Sequence, residues 1–236
     1  GDSITAEGNG QRNYITVLRE KYSKYGTEFD NYSVSGNTFA GNGRAGCVYM
    51  YQNVVTHKDY DIILVAAGIN DFFQQYPVGK LDINDANINT FNGALTYFYK
   101  ALQQFNLNSD VFFLCPPKTE HEIEHAIPAD IYRMLIYNAC NIYGWHFIDA
   151  YAEEPLLSIY GDIHHWTDGT HPNPLYTPFL ANYIEHRLNN LGGNYLSYAK
   201  NIMEITSLCT NVETSVRIYL EFDTNGNGVI HMASSS

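Results

Sequence analysis

A carboxylate and an imidazole lie three positions apart in the run Asp168-Gly169-Thr170-His171. A serine hydroxyl attacks an acyl carbon only when a base removes its proton, and a third group must hold that base in one tautomer. One loop can place Asp168 against one ring nitrogen of His171 and leave the other nitrogen facing a serine. Ser3, in the opening run Gly1-Asp2-Ser3, is the candidate nucleophile. These residues predict acyl transfer by a Ser3, His171 and Asp168 triad.

Small polar runs supply candidate donors for the oxyanion that forms in acyl transfer, which needs fixed hydrogen bonds. The candidates are the backbone N–H groups of Ser3 and Gly36 and the side-chain amide of Asn70. Asn37, beside Gly36, is a candidate substrate contact. Trp166 could stack on a substrate ring at the mouth of the site, although anchoring of its loop against the core is an equal alternative.

Short apolar runs alternate with longer stretches of helical periodicity, and these elements must position the candidate residues. The runs predict strands at residues 30–34, 60–67, 110–115 and 145–148. The periodic stretches predict helices at residues 14–25, 88–105, 129–143 and 175–191. This alternation is typical of a doubly wound α/β fold, in which functional loops leave the carboxyl ends of parallel strands. We therefore expect the polar runs to gather at one edge of the sheet.

Four blocks of this sequence, taken together, resemble the SGNH hydrolases, also called GDSL-type lipases and esterases. The blocks are Gly1-Asp2-Ser3-Ile4, Ser35-Gly36-Asn37-Thr38, Gly68-Ile69-Asn70-Asp71 and Asp168-Gly169-Thr170-His171-Pro172, in matching order across roughly residues 1–190. The resemblance implies a flavodoxin-like three-layer α/β/α fold with a central parallel sheet and no cofactor. We also expect no metal. The resemblance also implies ester hydrolysis through an acyl-enzyme, with Ser3 as nucleophile, His171 as base and Asp168 as its orienting carboxylate. By position, Gly36 and Asn70 would be oxyanion donors.

The pattern changes beyond Gly192-Gly193. Apolar and polar residues alternate over residues 215–222, and Asn225-Gly226-Asn227-Gly228 then offers a tight turn, which together predict a β-hairpin. We therefore predict a hydrolase domain at residues 1–192 and a C-terminal extension at residues 193–236. Residues 223–230 are also similar to half of an EF-hand calcium loop, but Ser234 stands where the bidentate Glu is expected, so a hairpin turn is favoured.

The first strand is an open question. In the family that this sequence resembles, the nucleophile follows a central strand, and no residues precede Gly1 here. Either an apolar strand lies upstream, in a longer chain, or residues 215–222 fill the central position. The first alternative is favoured, because a parallel insertion from the C-terminal end needs a long connection back across the domain.

Two alternatives come from other classes of protein. The run from His121 to His125 matches the HExxH pattern of zinc hydrolases, but it lies between Pro117 and Pro128, where the chain is too short and polar for a buried helix. A solvated loop is favoured there. The chain could also be a non-catalytic SGNH-like module of a larger assembly, against which the presence of all the candidate site residues argues.

Composition limits the partners and the substrate. A net charge of -12 with no basic run argues against nucleic acid and anionic membranes, and no apolar run approaches the ~20 residues of a membrane span. The 20 Tyr and many Asn suit a polar surface that stacks on sugars. We therefore predict an O-acyl, and specifically O-acetyl, ester on a small molecule or polysaccharide, in preference to a lipid ester or a lysophospholipid.

Cysteine usage leaves the compartment open. Four cysteines lie far apart with no CxxC pair, so they indicate neither a zinc ribbon nor a disulfide scaffold: Cys47, Cys115, Cys140 and Cys209. Their spacing is compatible with free thiols and with disulfides, and a secreted or extracellular location is the favoured alternative.

Overall fold

A three-stranded parallel sheet is the centre of the computed structural model. The structure describes residues 1–7, 12–41, 46, 59–121, 125–152 and 166–191, together with the backbone of residues 202–206, 216–222 and 228–234. The strands β1 (Ile62–Ala66), β2 (Asp110–Cys115) and β3 (His146–Asp149) lie side by side in that order. Each is a short run of mainly buried apolar residues, as expected for strands covered on both faces.

Within the residues that the structure describes, five α-helices flank or follow these strands. They are α1 (Tyr14–Tyr22), α2 (Ile69–Phe73), α3 (Phe91–Phe105), α4 (Ala129–Tyr143) and α5 (Thr177–Leu191). Two of these helices have an N-terminal side-chain cap. Asn13 caps α1 by accepting a hydrogen bond from Thr16 N at 2.9 Å, and Thr90 caps α3 by accepting one from Gly93 N at 3.2 Å. Helix α1 packs against α5, while α4 packs against α3, β2 and β3. The predicted α/β architecture, a parallel sheet with flanking helices, is confirmed.

An aromatic cluster fills the space between the sheet and helix α3. Phe39 is fully buried, and its ring lies 6.0, 5.7 and 5.6 Å from the rings of Phe91, Phe98 and Phe113. Burial of one such side chain contributes about 1.5–3 kcal/mol. Phe39 follows the polar run of residues 35–38 directly, so the core holds one end of that loop in place.

The predicted strand at residues 30–34 is not formed. These residues form no strand pairing with the sheet. A backbone N–H of this segment instead binds a nearby side chain, since Ser33 N donates to Asn31 Oδ1 at 3.0 Å. A groove of about 800 Å³ is lined both by residues 30–33 and by residues of β1. Within the described ranges, β1 therefore has a strand neighbour on one edge only.

The C-terminal strands form a separate antiparallel sheet in the order β4 (Ile202–Thr206), β5 (Val216–Phe222), β6 (Gly228–Ser234). Strand β5 pairs with β6 from Val216–Ser234 to Phe222–Gly228, as a hairpin requires. The predicted hairpin is confirmed, and β4 adds an unpredicted strand to it. The alternative in which residues 215–222 enter the central parallel sheet is wrong, because β4 and β6 occupy both edges of β5. The division at residue 192 and the strand upstream of Gly1 stay predictions.

None of the helices in the described part of the chain has the length and apolar character needed to cross a membrane.

Candidate active site

The ring of His171 bridges the two other members of the predicted triad. Its Nε2 atom lies 2.8 Å from Ser3 Oγ, and its Nδ1 atom lies 2.7 Å from Asp168 Oδ2. A carboxylate only accepts hydrogen bonds, so Nδ1 carries the proton towards Asp168 and Nε2 is left as an acceptor for the serine hydroxyl. This is the arrangement in which an imidazole can remove a proton from a serine.

The loop that carries Asp168 and His171 is closed on itself. Trp166 and Pro172 form an isolated antiparallel bridge, and Thr167 N donates to the main-chain oxygen of His171 at 2.8 Å. Asp168 Oδ1 accepts from the backbone N–H of His171 at 2.8 Å and of Thr170 at 3.1 Å. The carboxylate thus organises the loop with one oxygen and faces the imidazole with the other.

These bonds also set the charge of Asp168. Partial burial acts to raise its pKa, but the hydrogen bonds from the backbone and ring of His171 and from Thr170 outweigh it and lower the pKa to about 2. Asp168 is therefore ionised at any pH where an esterase would be assayed.

Ser3 lies in a tight turn at the start of the described chain. Asp2 is buried, its Oδ1 accepts from Ile4 N at 3.0 Å, and its main-chain oxygen accepts from Thr5 N at 3.1 Å and Ala6 N at 2.8 Å. Burial raises the pKa of the Asp2 carboxyl, and the bond from Ile4 opposes that shift. The turn holds Ser3 half-buried, with its hydroxyl towards His171.

A chain of hydrogen bonds connects the predicted oxyanion donors to this turn. Asn70 Nδ2 donates to the main-chain oxygen of Asn37 at 2.8 Å, and Asn37 Nδ2 lies 3.5 Å from the main-chain oxygen of Gly1. Gly36 stands in the β-turn closed by Asn37 N and Val34 O at 3.2 Å, with a φ of 78° that favours glycine. The amide of Asn70 has a second N–H that this bond leaves unused.

The two weaker candidates have defined surroundings. Asn37 is buried, with 3% of its surface exposed, and it faces Gly1. Trp166 places its ring edge-on to Tyr176 at 6.0 Å, next to the loop that it helps to close. These contacts show how each residue supports the site, and their contact with a substrate stays a prediction.

A small cavity adjoins the three triad side chains. Its volume is about 160 Å³, and its wall also includes Arg12, Thr167 and Leu180. Small-molecule sites usually measure about 300–1,000 Å³, so this cavity suits a small group. The larger groove beside β1 contains none of the triad side chains.

The sequence of the chain matches that of one family of known enzymes. The GDSL-like lipase/acylhydrolase family matches residues 1–175, which is more than half of the 236 residues and contains Ser3, Asp168 and His171. The chain belongs to this family. The resemblance to GDSL-type hydrolases is thereby confirmed, and the protein is an ester-hydrolysing enzyme.

Solved structures similar to this GDSL-like protein share its fold. A protein from Lactobacillus plantarum is 23% identical with a TM-score of 0.67, and 80% of this chain and 93% of that chain are covered. A possible lipase from Chitinophaga pinensis is 16% identical with a TM-score of 0.65, over 82% and 97% of the two chains. A variant of the acetyl xylan esterase Axe2 from Geobacillus stearothermophilus is 17% identical with a TM-score of 0.58, over 80% and 91%. No curated protein matches the chain.

Sequence reasoning gave no role to Asp71, which lies beside Asn70 in α2. Asp71 is fully buried, and its two carboxylate oxygens accept from Phe39 N and Ala40 N, each at 2.7 Å. One residue of α2 thus reaches the loop after Gly36, while its neighbour Asn70 binds Asn37 in the same loop. The only signal for this role in the sequence was an acidic residue between the apolar residues of a short helix, next to Asn70.

The two histidines of the HExxH run have other partners, and residues 122–124 of that run lie outside the described residues. The ring of His125 packs edge-on to Phe72 at 4.6 Å. His121 Nε2 lies 3.0 Å from the main-chain oxygen of Asp168. Across the described ranges no three side chains of His, Cys, Asp or Glu come together as metal ligands would. Of the four cysteines, Cys115 and Cys140 are buried free thiols, and Cys47 and Cys209 lie outside the described residues.

Proposed function

We propose that this GDSL-like enzyme is a serine esterase that removes O-acetyl groups from a carbohydrate by way of an acyl-enzyme. The observation that carries the proposal is the ring of His171, which lies within hydrogen-bond distance of both Ser3 Oγ and Asp168 Oδ2. A serine and a carboxylate on the two nitrogens of one imidazole form the arrangement needed for nucleophilic acyl transfer.

In the proposed first half-reaction, His171 Nε2 takes the proton of Ser3 as Oγ attacks the acyl carbon. The imidazolium that forms is stabilised by the ionised Asp168, whose pKa is held to about 2. When the tetrahedral intermediate collapses, the bond to the alcohol breaks, and His171 gives its proton to the departing alcohol oxygen. The acyl group is then bound to Ser3 as an ester.

In the second half-reaction, water replaces the alcohol. His171 removes a proton from that water, the resulting hydroxide adds to the acyl carbon, and Ser3 leaves with the proton returned by His171. In both halves the oxyanion is bound by the backbone N–H groups of Ser3 and Gly36 and by the amide of Asn70. Such donors act on charge that develops in the transition state, so they raise the rate more than they tighten substrate binding.

Three observations support the acetyl group and the carbohydrate. The cavity of about 160 Å³ beside the triad suits a small acyl group better than a long chain. A solved structure with the same fold carries the name acetyl xylan esterase. The net charge of -12 and the 20 Tyr suit a neutral polar substrate better than an anionic lipid surface.

A substrate panel with the Ser3→Ala variant tests this proposal. We expect the wild type to hydrolyse a small acetyl ester and acetylated xylo-oligosaccharides faster than a long-chain acyl ester. Ser3→Ala should lose at least about two orders of magnitude in rate without loss of folding, because the hydroxyl contributes little to packing. A fluorophosphonate probe should label the wild type but not the variant. Unchanged turnover by Ser3→Ala would disprove the mechanism, and a preference for long-chain esters would assign the protein to lipid substrates instead.

A further inference from the structure

Two residues of the loop after β2 bind two successive carbonyl groups of the catalytic loop. The Nε2 atom of His121 lies 3.0 Å from the main-chain oxygen of Asp168, which is 47 positions away in sequence. The backbone N–H of Glu120 donates to the main-chain oxygen of Gly169, also at 3.0 Å. A carbonyl only accepts hydrogen bonds, so Nε2 of His121 carries the proton and donates it.

The catalytic loop has a glycine where the His121 ring approaches it. Gly169 adopts a φ of 82°, in the left-handed region that a side chain disfavours. A Cβ atom at this position would overlap the imidazole of His121. The positive φ of the turn therefore favours glycine here, and the missing Cβ leaves room for the ring to approach the backbone.

The bonds inside the catalytic loop do not by themselves determine where the loop lies relative to Ser3. Asp168 binds Thr170 and His171 of its own loop, and its side chain is 55% exposed. Ser3 lies 168 positions away from His171, and a displacement of about 1 Å would take Nε2 out of productive hydrogen-bond distance of Oγ. Bonds to a different part of the molecule are needed to prevent such a displacement, and His121 and Glu120 supply two of them.

We infer that His121 is a positioning residue of the esterase site: by donating to the carbonyl of Asp168 it holds the catalytic loop so that His171 meets Ser3. This inference rests on the proposed function. His121 touches none of the reacting atoms in this role, since it acts through the backbone of Asp168. Its effect therefore falls on the turnover rate of bound substrate rather than on substrate binding.

Substitutions that separate the donor from the ring test the inference. His121→Phe keeps an aromatic ring and removes the donor, whereas His121→Gln places an amide N–H near the position of Nε2. We expect His121→Phe to lower kcat by about three- to tenfold, the effect of one lost hydrogen bond, with KM unchanged. His121→Gln should restore kcat to within about twofold of wild type. His121→Ala, which loses donor and bulk together, should match His121→Phe and replaces it if that variant fails to fold.

Assaying Ser3→Ala in the same experiment separates failure of the inference about His121 from failure of the proposed function. If Ser3→Ala is inactive and His121→Phe matches the wild type in kcat, the inference alone is overturned. Equal loss in His121→Phe and His121→Gln would also overturn it, as would a change confined to KM, which would make His121 a substrate contact. If Ser3→Ala turns over like the wild type, the proposed function fails and the inference falls with it.

Discussion

The Nε2 atom of His171 lies 2.8 Å from the hydroxyl oxygen of Ser3, although 168 positions separate the two residues in the sequence. Ser3 belongs to a turn built on the buried Asp2, and His171 belongs to a loop built on Asp168. Two separately organised backbone segments therefore meet at one hydrogen bond.

The Asp168→Asn variant tests the orienting carboxylate. The amide of Asn can donate to His171 Nδ1, which favours the tautomer in which Nε2 carries the proton. In that tautomer Nε2 cannot take the proton of the Ser3 hydroxyl. We expect kcat to fall by about three to four orders of magnitude with little change in KM. The matched control is Asp130→Asn, which replaces a carboxylate of α4 that accepts a hydrogen bond from Arg133 and should leave kcat unchanged. Wild-type turnover by Asp168→Asn would exclude the proposed role.

The pH dependence of stability tests the charge state of Asp168. Its pKa in the folded protein is lowered from 3.8 to about 2, so its stabilising contribution is fully present above pH 3.8 and is lost as the pH falls through about 2. We expect the melting temperature of the wild type to exceed that of Asp168→Asn at pH 5, where the carboxylate is ionised in both the folded and the unfolded chain. The difference should narrow as the pH falls from 4 towards 2. A difference that stays constant over the whole range would mean that the carboxylate is not preferentially ionised in the folded state.

The Asn70→Ala variant tests the oxyanion donor. We expect kcat to fall by about a hundredfold or more with a smaller change in KM, since the amide would bind charge that develops only in the transition state. Steady-state kinetics on a small acetyl ester measures both constants. An effect on KM alone would instead make Asn70 a residue that positions the substrate.

The Asp71→Ala variant tests the carboxylate that holds the loop after Gly36. Its removal leaves the buried N–H groups of Phe39 and Ala40 without their acceptors. We expect a loss of about 2–4 kcal/mol in the free energy of unfolding, together with a lower kcat because the loop also carries the proposed oxyanion donor. Asp71→Asn keeps one accepting oxygen and should lose less in denaturant unfolding. Equal stability of Asp71→Ala and the wild type would show that water replaces the carboxylate without cost.

Much of the fold was readable from local patterns. Apolar runs of strand length and helical periodicity predicted β1, β2, β3 and helices α3 and α4 nearly to their ends, because the period of apolar residues reports which faces are buried. The turn at residues 225–228 likewise predicted the hairpin of β5 and β6. Residue type and the three-position spacing of Asp168 and His171 were enough to identify the pair that the structure joins at 2.7 Å.

Long-range contacts, by contrast, were decided by the tertiary structure. The apolar character of residues 30–34 predicted a strand, but a strand needs a paired neighbour, which no local pattern specifies. The carboxylate of Asp71 and the ring of His121 bind backbone groups of distant loops. Every residue other than proline has the same backbone N–H, and all residues have the same backbone carbonyl. The sequence therefore does not show which backbone group a distant side chain will bind. Only the folding of the chain brings the donor and acceptor within reach of each other.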